Sequence, residues 1–260
     1  MLHPERFQSF LDHYQTVRRA ETWGSGDPSY YLTLPNAAED DPHREVWRVR
    51  AASFNSLVSI LGSARHVLDL GAGNGWLAYQ LARRGLDVAA VDVSDDALDG
   101  LGASRHYPIA LDCYQAEFDA LPFAGSQFDL VVFNASLHYA HSMEVTLREG
   151  LRVLDPAGRI VVMDSPIYRN KADGNAMLAR RAADFHSSYG FDDPGDAVGF
   201  LTFRDLESLA NTFGLHWRWS EPRVDVRWGT RHLPAKLAGK PEPAHFGLMI
   251  GQVKRRVMRS

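Results

Sequence analysis

The chain predicts a doubly wound α/β fold, with a seven-stranded, mostly parallel sheet, helices on both faces and an N-terminal helical cap. Three observations carry this expectation. From about His66 onward, short apolar runs alternate with helix-length amphipathic segments. A glycine-rich turn stands where the first of these runs meets the first of these helices. The chain has 260 residues and 45% apolar content, enough to bury one sizeable core.

Residues 1–62 read as the cap. They are rich in aromatic and charged side chains, as in Tyr30-Tyr31-Leu32 and Asp41-Pro42-His43. Within them Val46, Val49, Phe54, Leu57, Val58 and Leu61 recur at near-helical spacing, which predicts an amphipathic helix ending around Gly62.

Residues 63–260 read as the main domain. Val67-Leu68-Asp69-Leu70 is a short buried strand, Trp76 to Arg84 a helix, Val88 to Val91 a strand and Asp95 to Leu101 a second helix. Phe128 to Phe133 is the cleanest strand. A helix follows over Glu144 to Leu154, then a turn at Asp155-Pro156-Ala157-Gly158 and a strand from Arg159 to Met163. Further helices are expected over Asn175 to Tyr189 and over Arg204 to Phe213, the latter capped by Thr202. Leu215 to Trp219 and Phe246 to Val253 read as closing strands, and Pro222 to Pro243 as an irregular excursion between them. Parallel neighbours need crossover connections, which the intervening helices supply, and such sheets bind ligands at the carboxyl ends of their strands.

Charge and cysteine usage narrow the function classes. A formal charge of −4 gives no global attraction to nucleic acid or to anionic membranes. Lys254, Arg255, Arg256 and Arg259 form only a short basic tail, read as a solvated end. The single Cys113 excludes internal disulfides and C-x-x-C metal sites, which fits a reducing interior. Met1 to Phe10 lacks a basic-then-apolar signal pattern, and no window approaches the roughly 18 apolar residues of a membrane span. A cytoplasmic enzyme acting on a small molecule is expected, without nucleic-acid or membrane partners.

The central motif is Asp69-Leu70-Gly71-Ala72-Gly73-Asn74-Gly75, at the junction of strand and helix. Glycines there let a ligand approach the backbone, and the helix N-terminus leaves N–H groups free. A dinucleotide fingerprint would need glycine at Trp76, and no phosphate-binding loop with its G-K-[ST] ending is present. Asp92 follows the strand Val88 to Val91, where a carboxylate can accept both hydroxyl hydrogens of a ribose, with Val93 beside it. Next come Ala116-Glu117-Phe118-Asp119-Ala120-Leu121-Pro122-Phe123, and then Phe128 to Tyr139 with the loop Asn134-Ala135-Ser136-Leu137-His138-Tyr139.

In this order and over roughly residues 66 to 165, the four pieces resemble the class I S-adenosylmethionine-dependent methyltransferases. The likeness follows the broad subgroup that methylates small molecules, including quinone-like and natural-product acceptors. It implies a Rossmann-like methyltransferase fold and S-adenosyl-L-methionine as cofactor. It also implies that the turn with Asp69, Gly71, Ala72, Gly73 and Gly75 wraps the methionine part. Glu117, where Asp is usual, would meet the adenine amino group, while Phe118 would offer a backbone N–H and an apolar wall. Asn134, Ala135 and the loop after them would face the transferable methyl.

Methyl transfer is an in-line displacement in which the protein chiefly aligns the acceptor and excludes water. If a hydroxyl or protonated amine is the nucleophile, His138 is the leading base, with Tyr139 and His141 behind it; the other reading of His138 is a pocket-lining side chain. Candidate acceptor contacts are Tyr30, Tyr31, Trp47, His138, Tyr139, Ser165, Tyr168 and Trp228. His43, Arg44, Arg48 and Arg50 offer cations to a cofactor or acceptor carboxylate. His138 and His141 lie three apart without an evident third ligand, so no metal is expected. The loop also lacks the Asn/Asp-Pro-Pro-Tyr stretch of many amine methylators of bases. Other reactions of the sulfonium, such as aminopropyl transfer or a cofactor-held rearrangement, and a non-catalytic cofactor-binding regulator stay in view.

Overall fold

The computed structural model describes residues 4–189, 197–225, 228 and 241–253. Three helices come first, α1 (Pro4–Ala20), α2 (Pro28–Thr33) and α3 (Arg44–Val58). The strands are β1 (His66–Leu70), β2 (Asp87–Asp92), β3 (Asp112–Gln115), β4 (Phe128–Asn134), β5 (Leu154–Met163), β6 (Ile167–Tyr168), β7 (Leu201–Thr202), β8 (Leu215–Ser220) and β9 (Leu248–Val253). Between them lie α4 (Trp76–Ala82), α5 (Met143–Val153), α6 (Lys171–Tyr189) and α7 (Phe203–Phe213).

Seven strands form one sheet in the order β3-β2-β1-β4-β5-β9-β8, and β6 pairs with β7 separately. Strands β1 to β5 run parallel, and only β9 is reversed against its neighbours β5 and β8. The expected doubly wound sheet is therefore present. Alternate residues of each central strand enter opposite cores. Val67, Val132, Val161 and Met163 pack with Trp47, Phe54 and Trp76 of α3 and α4. Leu68, Leu70, Val131 and Val162 pack with Leu147 and Leu206 of α5 and α7. Burial on both faces is why these strands read as continuous apolar runs.

Three local expectations are corrected, and one strand went unread. Asp95 to Leu101 is not a helix. The backbone N–H of Asp96 donates to Ser94 Oγ, and those of Leu98 and Asp99 donate to Asp96 Oδ1 at 2.8 and 2.9 Å, before a 3₁₀ turn over Leu101–His106. Short polar side chains compete there for the N–H groups that a helix would use. The Asp155-Pro156-Ala157-Gly158 turn lies inside β5, whose register against β4 shifts between Phe128 and Leu130. The cap helix stops at Val58, and Ile60, Leu61 and Ala64 continue in hydrogen-bonded turns. β3 carries no apolar run, because it is a mostly exposed edge strand, and so it leaves little sequence signal. The basic tail and residues 226–227 and 229–240 of the excursion lie outside the described residues. Among the described residues, no helix is long and apolar enough to cross a membrane.

The N-terminal helices dock onto the loop after β2. The hydroxyl of fully buried Tyr31 lies 2.7 Å from the carbonyl oxygens of both Ser25 and Leu98 and accepts the Ser25 N–H. Arg18 pairs with Asp99 and Arg19 with Asp96, while Gln80 of α4 donates to the Leu34 carbonyl at 2.6 Å. Replacing Tyr31 with Phe leaves these groups without their partner. Stability is expected to fall by about 1–3 kcal/mol, read as a lower urea midpoint at unchanged slope.

Candidate functional site

The floor of the site is the turn from β1 into α4. Gly71, Gly73 and Gly75 all hold positive φ, at +74°, +54° and +77°. At Gly71 the requirement is steric as well as torsional, since a Cβ there would stand 2.2 Å from the Cβ of Ser136 in the loop after β4. Ser136 Oγ in turn donates to the Leu70 carbonyl at 2.5 Å. The N–H groups of Gly71 and Ala72 both reach the Val91 carbonyl, at 2.8 and 3.0 Å. The ends of β1, β2 and β4 are thus joined at one point.

Asp92, at the end of β2, accepts the Gly73 N–H at 2.8 Å and the Ser94 N–H at 2.8 Å. Burial outweighs these bonds and pushes its carboxyl up to about 6. Asp69, fully buried beneath the turn, is pushed up to about 8 by burial and then by the charge of Asp92. A cavity opens above this floor. Gly71, Gly73, Asp92, Val93, Phe118 and Ala135 line it on the sheet side, joined by Ser94, Asp99, Asp119 and Ser136. Phe7, Phe10 and Tyr14 of α1 form the roof, and Tyr139, Ala140 and His141 close one end.

The sequence expectations divide accordingly. Gly71, Gly73, Asp92, Val93, Phe118, Ala135 and Tyr139 come together around the cavity. Asp69, Ala72 and Gly75 build the turn without lining the cavity, and Glu117 and Asn134 are buried off its wall. The expected acceptor contacts mostly lie elsewhere. Tyr31 and Trp47 are in the hydrophobic core, Tyr30 packs against it, and Tyr168 packs on Phe200. The aromatic area of Tyr30, Tyr31 and Trp47 serves packing because the cap folds them inward, and that of Tyr168 fills a small cluster with Phe200 and Ala244. Trp228 lies beside Phe246, and Arg48 pairs with Asp225 and Glu45. Arg44 pairs with Glu39, and His43 stacks on Trp23. Arg50 sits over the Trp47 and Trp23 rings, within electrostatic reach of Asp164.

His138 is buried behind Tyr139, their ring centroids 4.3 Å apart, and its Nδ1 lies 3.3 Å from Ser165 Oγ. Burial, followed by the charge of Arg181, pushes its imidazole down to about 3. It is a neutral ring at working pH and a weak base.

The roof of the cavity went unread in the sequence. Its signal was present in the spacing of Phe7, Phe10 and Tyr14, which is helical and aromatic. Asp99 is the other such residue. It holds Arg18 of α1 against the cavity wall, a pairing across 81 positions that local spacing does not reveal.

Residues 68–162 match the family model of a methyltransferase domain. A malonyl-(acyl-carrier protein) O-methyltransferase from Erwinia pyrifoliae is 35% identical over 101 residues, covering 38% of this chain and 37% of that protein. An enzyme of the same name from Enterobacter lignolyticus is 32% identical over 154 residues, covering 55% of this chain and 60% of the relative. The matched part therefore spans less than two thirds of either relative. The fold is shared with the solved geranyl diphosphate C-methyltransferase of Streptomyces coelicolor, at a TM-score of 0.57 and 14% identity over 84% of this chain and 88% of that one.

Gly71→Ala is expected to destabilise the fold by about 1–3 kcal/mol through overpacking and strain, measured by chemical denaturation. The raised carboxyl of Asp69 sets a pH dependence. The folded state keeps a proton that the unfolded chain releases above about pH 4, so this group's contribution to stability is full below that value and is lost as pH rises through about 8. His138 acts in the opposite sense, since its folded pKa of about 3 makes stability rise with pH until the unfolded-state value near 6.5 is passed. Between about pH 7 and 8.5 the fall due to Asp69 is isolated. Denaturation midpoints of Asp69→Asn are expected to be flatter than wild type over that interval.

Proposed function

From the premise that this chain carries a methyltransferase domain of the class I S-adenosylmethionine-dependent kind, we propose that it transfers a methyl group to a small-molecule acceptor with an apolar or aromatic portion. The observation that carries the reading is the placement of Asp92 on the cavity wall directly above the Gly71–Gly75 turn. Each Asp92 oxygen takes one backbone N–H and keeps accepting capacity for a ribose hydroxyl. A Cβ added at Gly73 would meet nothing nearer than the Asp99 carbonyl at 3.6 Å, so this part of the turn presents backbone to open space. Val93 and Phe118 supply apolar walls suited to a purine ring. The donor set therefore fits an adenosyl group, with Asp69, Ala72 and Gly75 shaping the turn and Glu117, Asn134 and Ala135 backing the adenine and methyl ends.

When bound, S-adenosyl-L-methionine supplies an electrophilic methyl on a sulfonium. The chain's own part is alignment and exclusion of water. Phe7, Phe10 and Tyr14 cover the cavity, and Tyr139 stands where the acceptor enters. His138, a neutral ring next to Ser165, orients Tyr139 and takes no proton at neutral pH. Residues 1–62 serve as the lid and residues 63–260 as the catalytic domain. The lone cysteine and the net negative charge support a cytoplasmic enzyme without nucleic-acid or membrane partners.

Calorimetry with S-adenosylhomocysteine tests the cofactor assignment. Asp92→Ala is expected to weaken binding by about 10- to 100-fold, corresponding to one or two charge-assisted hydrogen bonds. Absence of binding to folded wild-type protein would overturn the assignment. Isotopically labelled cofactor incubated with a metabolite extract should yield a product heavier by one labelled methyl. With that acceptor in hand, His138→Gln is expected to keep turnover within about tenfold, less than the loss of a general base. Its pH–rate profile should match that of wild type.

A further inference from the structure

The cofactor cavity is covered by a weakly held helix. None of the described side chains of α1 from Phe7 to Ala20 is buried, whereas α2 buries Tyr31 and α3 buries Trp47, Phe54 and Leu57. Two ion pairs to the loop after β2, Arg18 with Asp99 and Arg19 with Asp96, tie α1 down, and Phe10 and Tyr14 lean on the Tyr139 ring. A helix with so few buried contacts opens at low cost. Its joint is also marked. Thr22, between α1 and the buried Trp23, holds φ at +60°, a strained value for a β-branched residue. As closed, the cavity measures about 110 Å³, below the roughly 300 Å³ from which small-molecule pockets begin. An adenosyl compound therefore enters only when α1 lifts.

Tyr14 is the polar member of this roof. Its ring is fixed on three sides, stacked on Phe10 at 5.6 Å, edge-on to Tyr139 at 6.0 Å and under the Arg18 guanidinium at 5.5 Å. Its hydroxyl has no hydrogen-bond partner among the described residues and is not sealed off by protein, so it opens on the space that Tyr14 lines. Asp92 and Asp99, on the cavity wall, lie within its electrostatic reach. Burial outweighs the charge of Arg18 and pushes the phenol well above its ordinary value, so at neutral pH it is a hydrogen-bond donor and not a base. A donor on the roof and an acceptor-only carboxylate on the sheet side call for a group between them that both donates and accepts. A ribose hydroxyl does so, giving its hydrogen to Asp92 and a lone pair to Tyr14.

Resting on the adenosyl reading of the cavity, we propose that α1 alone is a hinged lid, which lifts to admit the cofactor and closes on it through Tyr14, whose hydroxyl donates to a ribose hydroxyl held from the other side by Asp92.

Calorimetry on the full chain compares S-adenosylhomocysteine with its 2′-deoxy and 3′-deoxy forms, for wild type and for Tyr14→Phe, which keeps the ring and removes only the hydroxyl. Tyr14→Phe is expected to bind the parent compound about three- to tenfold more weakly, the scale of one neutral hydrogen bond. For one of the deoxy forms, the loss relative to the parent should be about threefold or more smaller in Tyr14→Phe than in wild type, because the missing ligand hydroxyl and the missing phenol belong to one pair. A general loosening of the roof would weaken all three ligands alike. Trypsin gives a second readout, since Arg18 and Arg19 lie in α1. Saturating S-adenosylhomocysteine is expected to slow release of residues 1–18 and 1–19 from wild type by about fivefold or more, and to slow it less in Tyr14→Phe. Equal weakening of all three ligands, parent binding by Tyr14→Phe within about twofold of wild type, or a wild-type cleavage rate that the compound leaves unchanged overturns the proposal and leaves the cofactor reading standing. Failure of folded wild type to bind S-adenosylhomocysteine overturns both together.

Discussion

The contact between Gly71 and Ser136 is the constraint on which the site depends. Backbone and side chain meet there more closely than any Cβ permits, and Ser136 is bonded to the carbonyl of Leu70. Because Gly71 and Ala72 also bond to Val91, the carboxyl ends of three neighbouring strands are locked into one surface. A floor fixed in this way keeps Asp92 and the glycine backbone in register. That is the preorganisation an alignment-driven reaction requires.

Holding the floor in place buries charge. Asp69, Asp92 and Asp164 all lie where desolvation disfavours their ionised forms. Asp164 accepts from Ser53 at 2.5 Å and faces the charge of Arg50, yet one of its oxygens has no hydrogen-bond partner among the described residues. Such groups weaken a fold that is otherwise apolar on both faces of the sheet. They are concentrated at the carboxyl ends of β1, β2 and β5, the edge of a parallel sheet at which ligands bind.

The N-terminal helix closes the cavity from the opposite side. α1 contributes an aromatic roof of Phe7, Phe10 and Tyr14 and is tethered by Arg18 to Asp99. The same Phe10 and Tyr14 also line the cavity between α1 and α6, so one helix borders both cavities. His138 illustrates how position overrides residue type. An imidazole in the loop after β4 has the right chemistry for a base, but burial behind Tyr139 and the nearby charge of Arg181 lower its affinity for a proton.

The sheet and the glycine turn beneath the cavity were legible because they are written locally. Val67 to Leu70, Val88 to Val91 and Phe128 to Phe133 declare themselves as doubly buried strands, and the glycines at 71, 73 and 75 mark a turn needing positive φ. Asp92 followed from its place at a strand end. Which aromatic side chains line the cavities was not legible, since an aromatic side chain has the same sequence signature whether it lines a pocket or fills a core. Tyr31 and Trp47 went to the core, while Phe10, Tyr14 and Arg181 came to the cavities. Segments distant in the chain choose between those fates by how the lid folds onto the sheet. That choice depends on non-local burial and on pairs such as Arg18 with Asp99, which periodicity along the chain does not encode.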